Sequence, residues 1–256
     1  MEPTVSSREH TYFGICLAVS VLVYAAFIVS ILGIPYLFVF AFAGFVAQGL
    51  FVGGLRGNAV RVSHLQFPEV DVLARDLATR MGLEPVPAVY VLQSGGMLNA
   101  FATRFLRRNF VVIYSDVLEL AYQQGEPALA FVVAHELAHI KRGHLAWQLF
   151  LAPAAFIPFL GTAYSRACEY TCDRFGAFYR PDGAVPGLLV LAAGKQLHGR
   201  VNADALCDQA VEEGGFWIWF AEKLATHPNL PKRVRAVMGL GATVPARAVQ
   251  PQVEGA

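Results

Sequence analysis

His135-Glu136-Leu137-Ala138-His139 sets two imidazoles four residues apart, with a carboxylate between them. On a helix, positions i and i+4 are neighbours on one face, so both rings can reach a single ion at about 2.0–2.1 Å. Glu136 projects about 100° round from His135, clear of such an ion but beside a water bound to it. Two imidazoles and an adjacent carboxylate are the components of metal-activated hydrolysis, in which the carboxylate takes the proton of the bound water.

The flanking residues supply the helix. Glu126-Pro127 places an acid and a proline at first-turn positions, and Ala128 to Ile140 runs through apolar residues of good helix propensity. Lys141 and Arg142 put cations at the C-terminal end, where Gly143 is available to stop the helix. A catalytic zinc takes three protein ligands and keeps a fourth position open, so another donor must come from outside this helix. Ser165 to Arg174 reads as a second helix, with Glu169 and Asp173 four apart on one face. Glu169 is the candidate third ligand. Asp173 is the candidate acceptor for the outer nitrogen of a ligand histidine, a contact that fixes ring tautomer and orientation. Cys168 and Cys172 offer thiolates as an alternative, each about 100° round from a carboxylate of the pair. Donor types alone leave several first-row metals open.

The stretch His135-Glu136-x-x-His139, followed by Glu169 and Asp173 inside Ser-Arg-x-x-Glu-Tyr-x-x-Asp, resembles the HtpX-like membrane metallopeptidases, relatives of the CAAX prenyl proteases. Asn99-Ala100-Phe101-Ala102 is similar to that family's strand beside the cleft. Val111 to Leu118 is similar to the strand and turn before its metal helix, and Thr226-His227-Pro228 with Arg233 to its His-Pro segment. The resemblance covers about Phe67 to Leu240 and the N-terminal apolar region. It implies one zinc per chain held by His135, His139 and Glu169, with Glu136 as general base and His227 stabilising the oxyanion. It further implies a substrate strand at Asn99, Ala100 and Phe101, and polypeptide substrates.

From Thr11 to Leu55 no Asp, Glu, Lys or Arg occurs, a run of 45 residues. At about 1.5 Å per residue it is longer than two crossings of a roughly 30 Å hydrocarbon core. Gly33-Ile34-Pro35 divides it, which predicts two transmembrane helices, about Tyr12 to Leu32 and Tyr36 to Gly54, joined by a tight turn. The run is too long for a cleaved signal peptide. Arg8, Arg56 and Arg61 flank an uncharged turn, so the positive-inside rule places both ends and the following domain in the cytoplasm. A second uncharged stretch, Leu145 to Ser165, has 21 residues. A single crossing there would part His139 from Glu169 across the bilayer, so the segment is expected to turn back near Pro153 and Pro158 as a short re-entrant or interfacial hairpin. HtpX-like proteins have a longer hydrophobic insertion at this point.

Composition agrees with a membrane enzyme: 55% of residues are apolar and the mean hydropathy is +0.46. Pro68 to Met81 predicts an amphipathic helix; Ala88 to Leu92, Met97 to Thr103 and Phe110 to Tyr114 predict strands. Helices are expected over Val185 to Leu197, Ala203 to Glu212, Phe216 to Ala225 and Pro231 to Leu240, and a loose tail from about Thr243. A net charge of +1 without a long basic run says little about partners and does not suggest nucleic acid, so no nucleic-acid partner is expected. Arg104, Arg107 and Arg108 read as a solvated hairpin turn, with contact to anionic head groups or substrate carboxylates as the alternative. The four cysteines read as reduced core thiols. His144, beyond Gly143, is expected to leave the helix face and be structural, while His10, His64 and His198 have no supporting constellation.

The expected fold is α+β: a mainly helical, zincin-like metallopeptidase domain with a small β-sheet, preceded by a transmembrane helical hairpin. The expected organisation is a membrane hairpin over 1–56, a peptidase domain over 57–242 with a hydrophobic insertion at 145–165, and a flexible tail over 243–256. The expected function is zinc-dependent endopeptidase action in quality control of membrane proteins. The alternatives are CAAX-type processing of prenylated proteins, which suits relatives with a large multi-helix chamber, and a non-catalytic membrane scaffold with structural zinc.

Overall fold

A computed structural model describes residues 3–30, 32–93, 95 and 99–241. Two long apolar helices come first, α1 (Ser7–Val29) and α2 (Gly33–Asn58). Each is long and apolar enough to cross a membrane, and only 11% and 6% of their most hydrophobic windows are buried in the protein. Leu22, Phe38, Phe40, Phe42 and Leu50 stand exposed, a surface suited to lipid rather than to water. The turn between the helices is close: a Cβ on Gly33 would meet the Phe27 carbonyl oxygen at 2.0 Å, so glycine is required there. Pro35 falls in the first turn of α2, where its missing N–H costs no helical bond. Both helices extend past the apolar run, because Arg8, Glu9 and His10 continue α1 and Arg56 continues α2 into polar surroundings.

Strands β1 (Val60–Arg61), β2 (Ala88–Leu92), β3 (Ala100–Phe105) and β4 (Arg108–Tyr114) form one mixed sheet in the order β1-β2-β4-β3. β2 runs parallel to β4, with Val89 opposite Val111, and β3 folds back antiparallel on β4. Val111, Val112 and Ile113 are fully buried, because both faces of the sheet are covered. Val111 and Ile113 pack with α3 (Pro68–Arg80), and Phe110 packs with Val52 of α2. The β3–β4 turn is Leu106-Arg107, both at positive φ (46° and 65°), with Arg107 and Arg108 exposed around it. The expected 97–103 strand begins later, at Ala100; its first two residues lie outside the described residues, as does the expected tail from 243.

The strand expected within Val111 to Leu118 is the end of β4, and the rest of that stretch begins a helix, α4 (Ser115–Gln124), with Val117, Leu118 and Leu120 buried in the core. Next comes α5 (Pro127–Lys141), buried continuously from Leu129 to Ala138. Two short helices, α6 (His144–Trp147) and α7 (Ala152–Ala155), lead into α8 (Leu160–Tyr179). This stretch runs out along α1 and returns. Trp147 meets Phe13 at 5.3 Å and Phe150 meets Tyr24 at 5.4 Å between ring centroids; Tyr164 then comes back to Phe13 at 6.0 Å. The remaining helices are α9 (Pro181–Leu197), interrupted at Gly194, then α10 (Ala203–Glu212), α11 (Phe216–Leu224) and α12 (Leu230–Gly241).

Close approach of α8 and α9 seats α5. A Cβ at Gly176 or Gly187 would fall 2.7 or 2.6 Å from the Phe131 ring, and one at Gly183 would fall 1.8 Å from the Pro127 carbonyl oxygen. Phe131 therefore sits between two glycine notches, one turn before His135. The architecture is α+β and mainly helical, with the small sheet on one side of α5 and the α8, α9 and α12 bundle on the other.

Candidate metal centre

The packing of α5 on α8 brings three predicted donors together. His135 Nε2 lies 3.5 Å from Glu169 Oε2, and His139 Nε2 lies 3.3 Å from Glu169 Oε1. The other side of His135 is also occupied: its Nδ1 lies 3.0 Å from Asp173 Oδ1. Arg233, from α12, donates to both oxygens of Asp173 at 2.8 and 2.7 Å. Burial alone would raise the Asp173 carboxyl, but the Arg233 guanidinium and His135 outweigh it and hold it below the usual carboxylate range. Glu169 is held well below its ordinary value in the same way, burial being outweighed by the two histidines. Burial works against charge on His135, yet contacts with Asp173 and Glu169 lift it to about 10.

Glu169 Oε2 is buried and has no hydrogen-bond partner, an acceptor that a cation would satisfy. Two imidazole nitrogens and one carboxylate fit a divalent metal with an open fourth position. Glu136 is buried and lines the cleft of about 580 Å³ that opens in front of these groups. Asn99, Ala100, Phe101 and Ala102 form one wall of that cleft. His227 stands exposed at its mouth, Nε2 3.5 Å from Glu169 Oε1, with Nδ1 3.0 Å from the Thr226 hydroxyl.

Cys172 brings its sulfur within 4.8 Å of a nitrogen of His135 and of His139. It also lies 3.8 Å from His144 Nδ1, on the Nδ1 side of His139 and away from the cleft. Burial pushes its thiol well up, and Glu169 adds to the effect. Cys168 groups with Glu9 and His144 instead.

The expectation that His144 leaves the helix face is corrected, while no contact among the described residues contradicts its structural reading. Gly143, at φ 72°, turns the chain so that the His144 ring comes back beneath α5, its Nδ1 3.0 Å from His139 Nδ1. Glu9 of α1 reaches the same place, 3.2 Å from His144 Nε2 and 3.0 Å from the Arg142 guanidinium. Sequence reasoning missed Glu9; the available signal was a lone acid at the edge of a long uncharged run. It also missed Arg166, which donates from one nitrogen to the Glu222, Lys223 and Ala225 carbonyls at 2.6–2.9 Å. With the Thr162 hydroxyl, 2.6 Å from the Lys223 carbonyl oxygen, it satisfies the end of α11 and holds the segment that carries His227.

The sequence profile of peptidase family M48 matches residues 64–156 and 145–240. This chain belongs to peptidase family M48. M48 peptidases are metal-dependent, and the His, Cys and Glu groups above are able to bind a metal ion. Plastoglobule-localized metallopeptidase 48 of Arabidopsis thaliana is 30% identical over 173 residues, covering 60% of this chain and 49% of that protein. The beta-barrel assembly-enhancing protease of Yersinia pestis is 27% identical over 151 residues, 57% of this chain and 29% of that protein. The M48 chain thus spans about half or less of the length of these curated relatives. Among solved structures, S. mikatae Ste24p superposes with a TM-score of 0.53 at 15% identity, covering 88% of this chain and 62% of that one, a likeness of fold. The resemblance to HtpX-like peptidases and their CAAX-protease relatives is borne out. The chain thus combines the M48 family's sequence pattern with two helices long and apolar enough to cross a membrane.

Proposed function

We propose that this chain is a zinc endopeptidase anchored in a membrane by α1 and α2, and that it cleaves membrane proteins in quality control. The observation that carries this is the convergence of His135, His139 and Glu169 at the floor of an open cleft, with Glu136 beside them. These three side chains are the proposed ligands of one zinc. Glu169 is preferred to Cys172 because it faces the Nε2 atoms and the cleft. When bound, zinc supplies Lewis acidity to a water and to the scissile carbonyl.

The rest of the chemistry belongs to the chain. Glu136 takes the water proton and returns it to the leaving amine. Asp173, clamped by Arg233, holds the His135 ring so that Nε2 faces the cleft. His227, at the mouth, stabilises the oxyanion of the tetrahedral intermediate. β3 is an edge strand among the described residues. The segment Asn99, Ala100 and Phe101 begins this edge at the cleft, and an extended peptide there would pair main chain to main chain with little demand on sequence. Arg8, Arg56 and Arg61 flank the apolar pair on one side, which favours both helices spanning and the peptidase portion, 57–242, facing the cytoplasm. The membrane-protein substrate class is supported by this proximity of cleft and apolar helices, and by the name of the Yersinia relative.

The test is cleavage of casein and of a detergent-solubilised membrane protein by the purified full chain with zinc, beside Glu136→Gln. Glu136→Gln is expected to keep stoichiometric zinc and to lose at least about 100-fold in kcat, the scale of general base catalysis. Full activity in that variant would overturn the role of Glu136. Zinc retained at parental affinity in both His135→Ala and His139→Ala would overturn the site.

A further inference from the structure

We propose that Glu9, on the first apolar helix, positions the metal-binding nitrogen of His139 through His144, so that docking of the membrane anchor sets the affinity of the metal centre. This rests on the reading of His139 as a metal ligand. The two ring nitrogens of His139 face opposite ways: Nε2 lies 3.3 Å from Glu169 in the cleft, and Nδ1 lies 3.0 Å from His144 Nδ1 beneath it. For Nε2 to offer a lone pair, the ring proton must sit on Nδ1, which then donates to His144 Nδ1. That leaves the His144 proton on Nε2, 3.2 Å from Glu9 Oε1. An ionised carboxylate only accepts, so Glu9 sets the direction of the whole chain of protons from its far end. With the Glu9 acceptor gone, only the weak Cys172 thiol, 3.8 Å from His144 Nδ1, favours this tautomer, and an N–H on Nδ1 would confront the N–H of His139 across 3.0 Å.

The arrangement parallels the other histidine. His135 is backed by Asp173, which Arg233 clamps; His139 is backed through His144 by Glu9, which Arg142 clamps at 3.0 and 3.3 Å. Glu9 is 4% exposed and His144 9%, so water does not substitute for either. The difference lies in the source of the carboxylate. Asp173 comes from the helix that carries Glu169, whereas Glu9 comes from α1, 133 residues before Arg142 in sequence. The backbone N–H of Ser6 donates to the buried Thr171 hydroxyl at 3.1 Å and pins the start of α1 to α8. Glu9, His144 and Cys168 place donor atoms within 4.8 Å of one another, the spacing of a second cation site. However, a cation there would compete with Arg142 for Glu9 and with the His144 proton, so the proton chain is the assignment that keeps the Arg142 and His139 contacts.

The experiment is zinc affinity of the full chain in detergent, measured by competition with a chromophoric chelator, for the parent and for Glu9→Leu, Glu9→Gln, His144→Phe and Ser20→Ala. Glu9→Leu, which removes the acceptor, is expected to weaken zinc binding about 10- to 100-fold, the range for loss of a group that orients a metal-bound histidine. Glu9→Gln keeps an acceptor oxygen of the same reach and is expected to lose less, which separates a positioning role from damage to packing. Glu9→Leu combined with His144→Phe is expected to lose no more than the weaker single variant, since both break one chain. Ser20→Ala, buried on the same helix but outside the chain, is expected to match the parent. Parental affinity in Glu9→Leu, equal losses in Leu and Gln, or additive losses in the double variant would overturn the proposal. So would a second zinc equivalent in the parent that disappears in Glu9→Leu. Retention of zinc at parental affinity in His139→Ala would instead overturn the ligand reading on which the proposal stands.

Discussion

Arg233→Met isolates the energetic role of the cation behind the metal centre. The Arg233 and Asp173 side chains are 6% and 1% exposed, and the guanidinium makes two bonds of 2.8 and 2.7 Å to the carboxylate. Its Nη2 also lies 3.5 Å from Glu169 Oε2, so one cation faces two buried carboxylates. Methionine fills much of the same volume but leaves both acids with His135 as their remaining cation, without the two-bond guanidinium clamp. Breaking a buried pair in this way costs about 3–5 kcal/mol. At about 2–4 °C per kcal/mol for a domain of this size, the melting midpoint of the zinc-depleted protein in detergent should fall by about 6–20 °C. Zinc affinity should fall about 10- to 100-fold, because Asp173 no longer holds the His135 ring. Adding Asp173→Asn removes one stranded charge, so the double variant should be more stable than Arg233→Met alone. Calorimetry and chelator competition on the parent, the single and the double variant provide the assay. A loss below about 1 kcal/mol in Arg233→Met, or a double variant less stable than the single, would refute the reasoning.

Three further outcomes are expected. Replacing Leu106-Arg107 by Asn-Gly should raise stability by about 1 kcal/mol, because both positions adopt positive φ, which Leu and Arg adopt only at a cost; a thermal melt reads it. Gly183→Ala should destabilise by at least about 1–3 kcal/mol and reduce metal binding, since its Cβ would collide with the Pro127 carbonyl and push α9 off α5; melts and zinc titration read both effects. Ala102→Pro should spare the β3–β4 ladder, because the bonded register through Asn99 and Tyr114 leaves the Ala102 N–H on the free side of β3. It should raise KM for peptide substrates about 3- to 10-fold, the worth of one main-chain hydrogen bond, and an unchanged KM would argue against strand pairing by substrate.

Much of the fold was legible where chemistry is local. The α5 helix follows from its proline start, apolar run and terminal cations, and Glu169 with Asp173 followed from an i, i+4 spacing. β2 and α10 run as their residue patterns predict. The pair of apolar helices was legible because length without charge has few other uses, although polar flanking residues lengthened each helix. What escaped was set by tertiary contact. The end of the Val111 to Leu118 stretch, expected as a turn, starts a helix because Val117 and Leu118 are buried. His144 seemed to leave the site because a helical projection stops at Gly143, whereas the left-handed backbone there returns the ring to His139. Glu9 and Arg166 have no local partner at all: their contacts are 133 and 56 or more residues away, beyond any periodicity.

The order in which these contacts become available on the ribosome follows from the same separations. Ser6 and Glu9 are made first, yet Thr171, which fastens Ser6, follows 165 residues later. Asp173 then waits a further 60 residues for Arg233. Between the end of α5 at Lys141 and the arrival of Arg233 the chain therefore holds the helix of the metal centre without its buried cation, and long-range closure of this kind is slow to form. Synthesis thus separates the formation of α5 from the completion of the buried ion pair behind it.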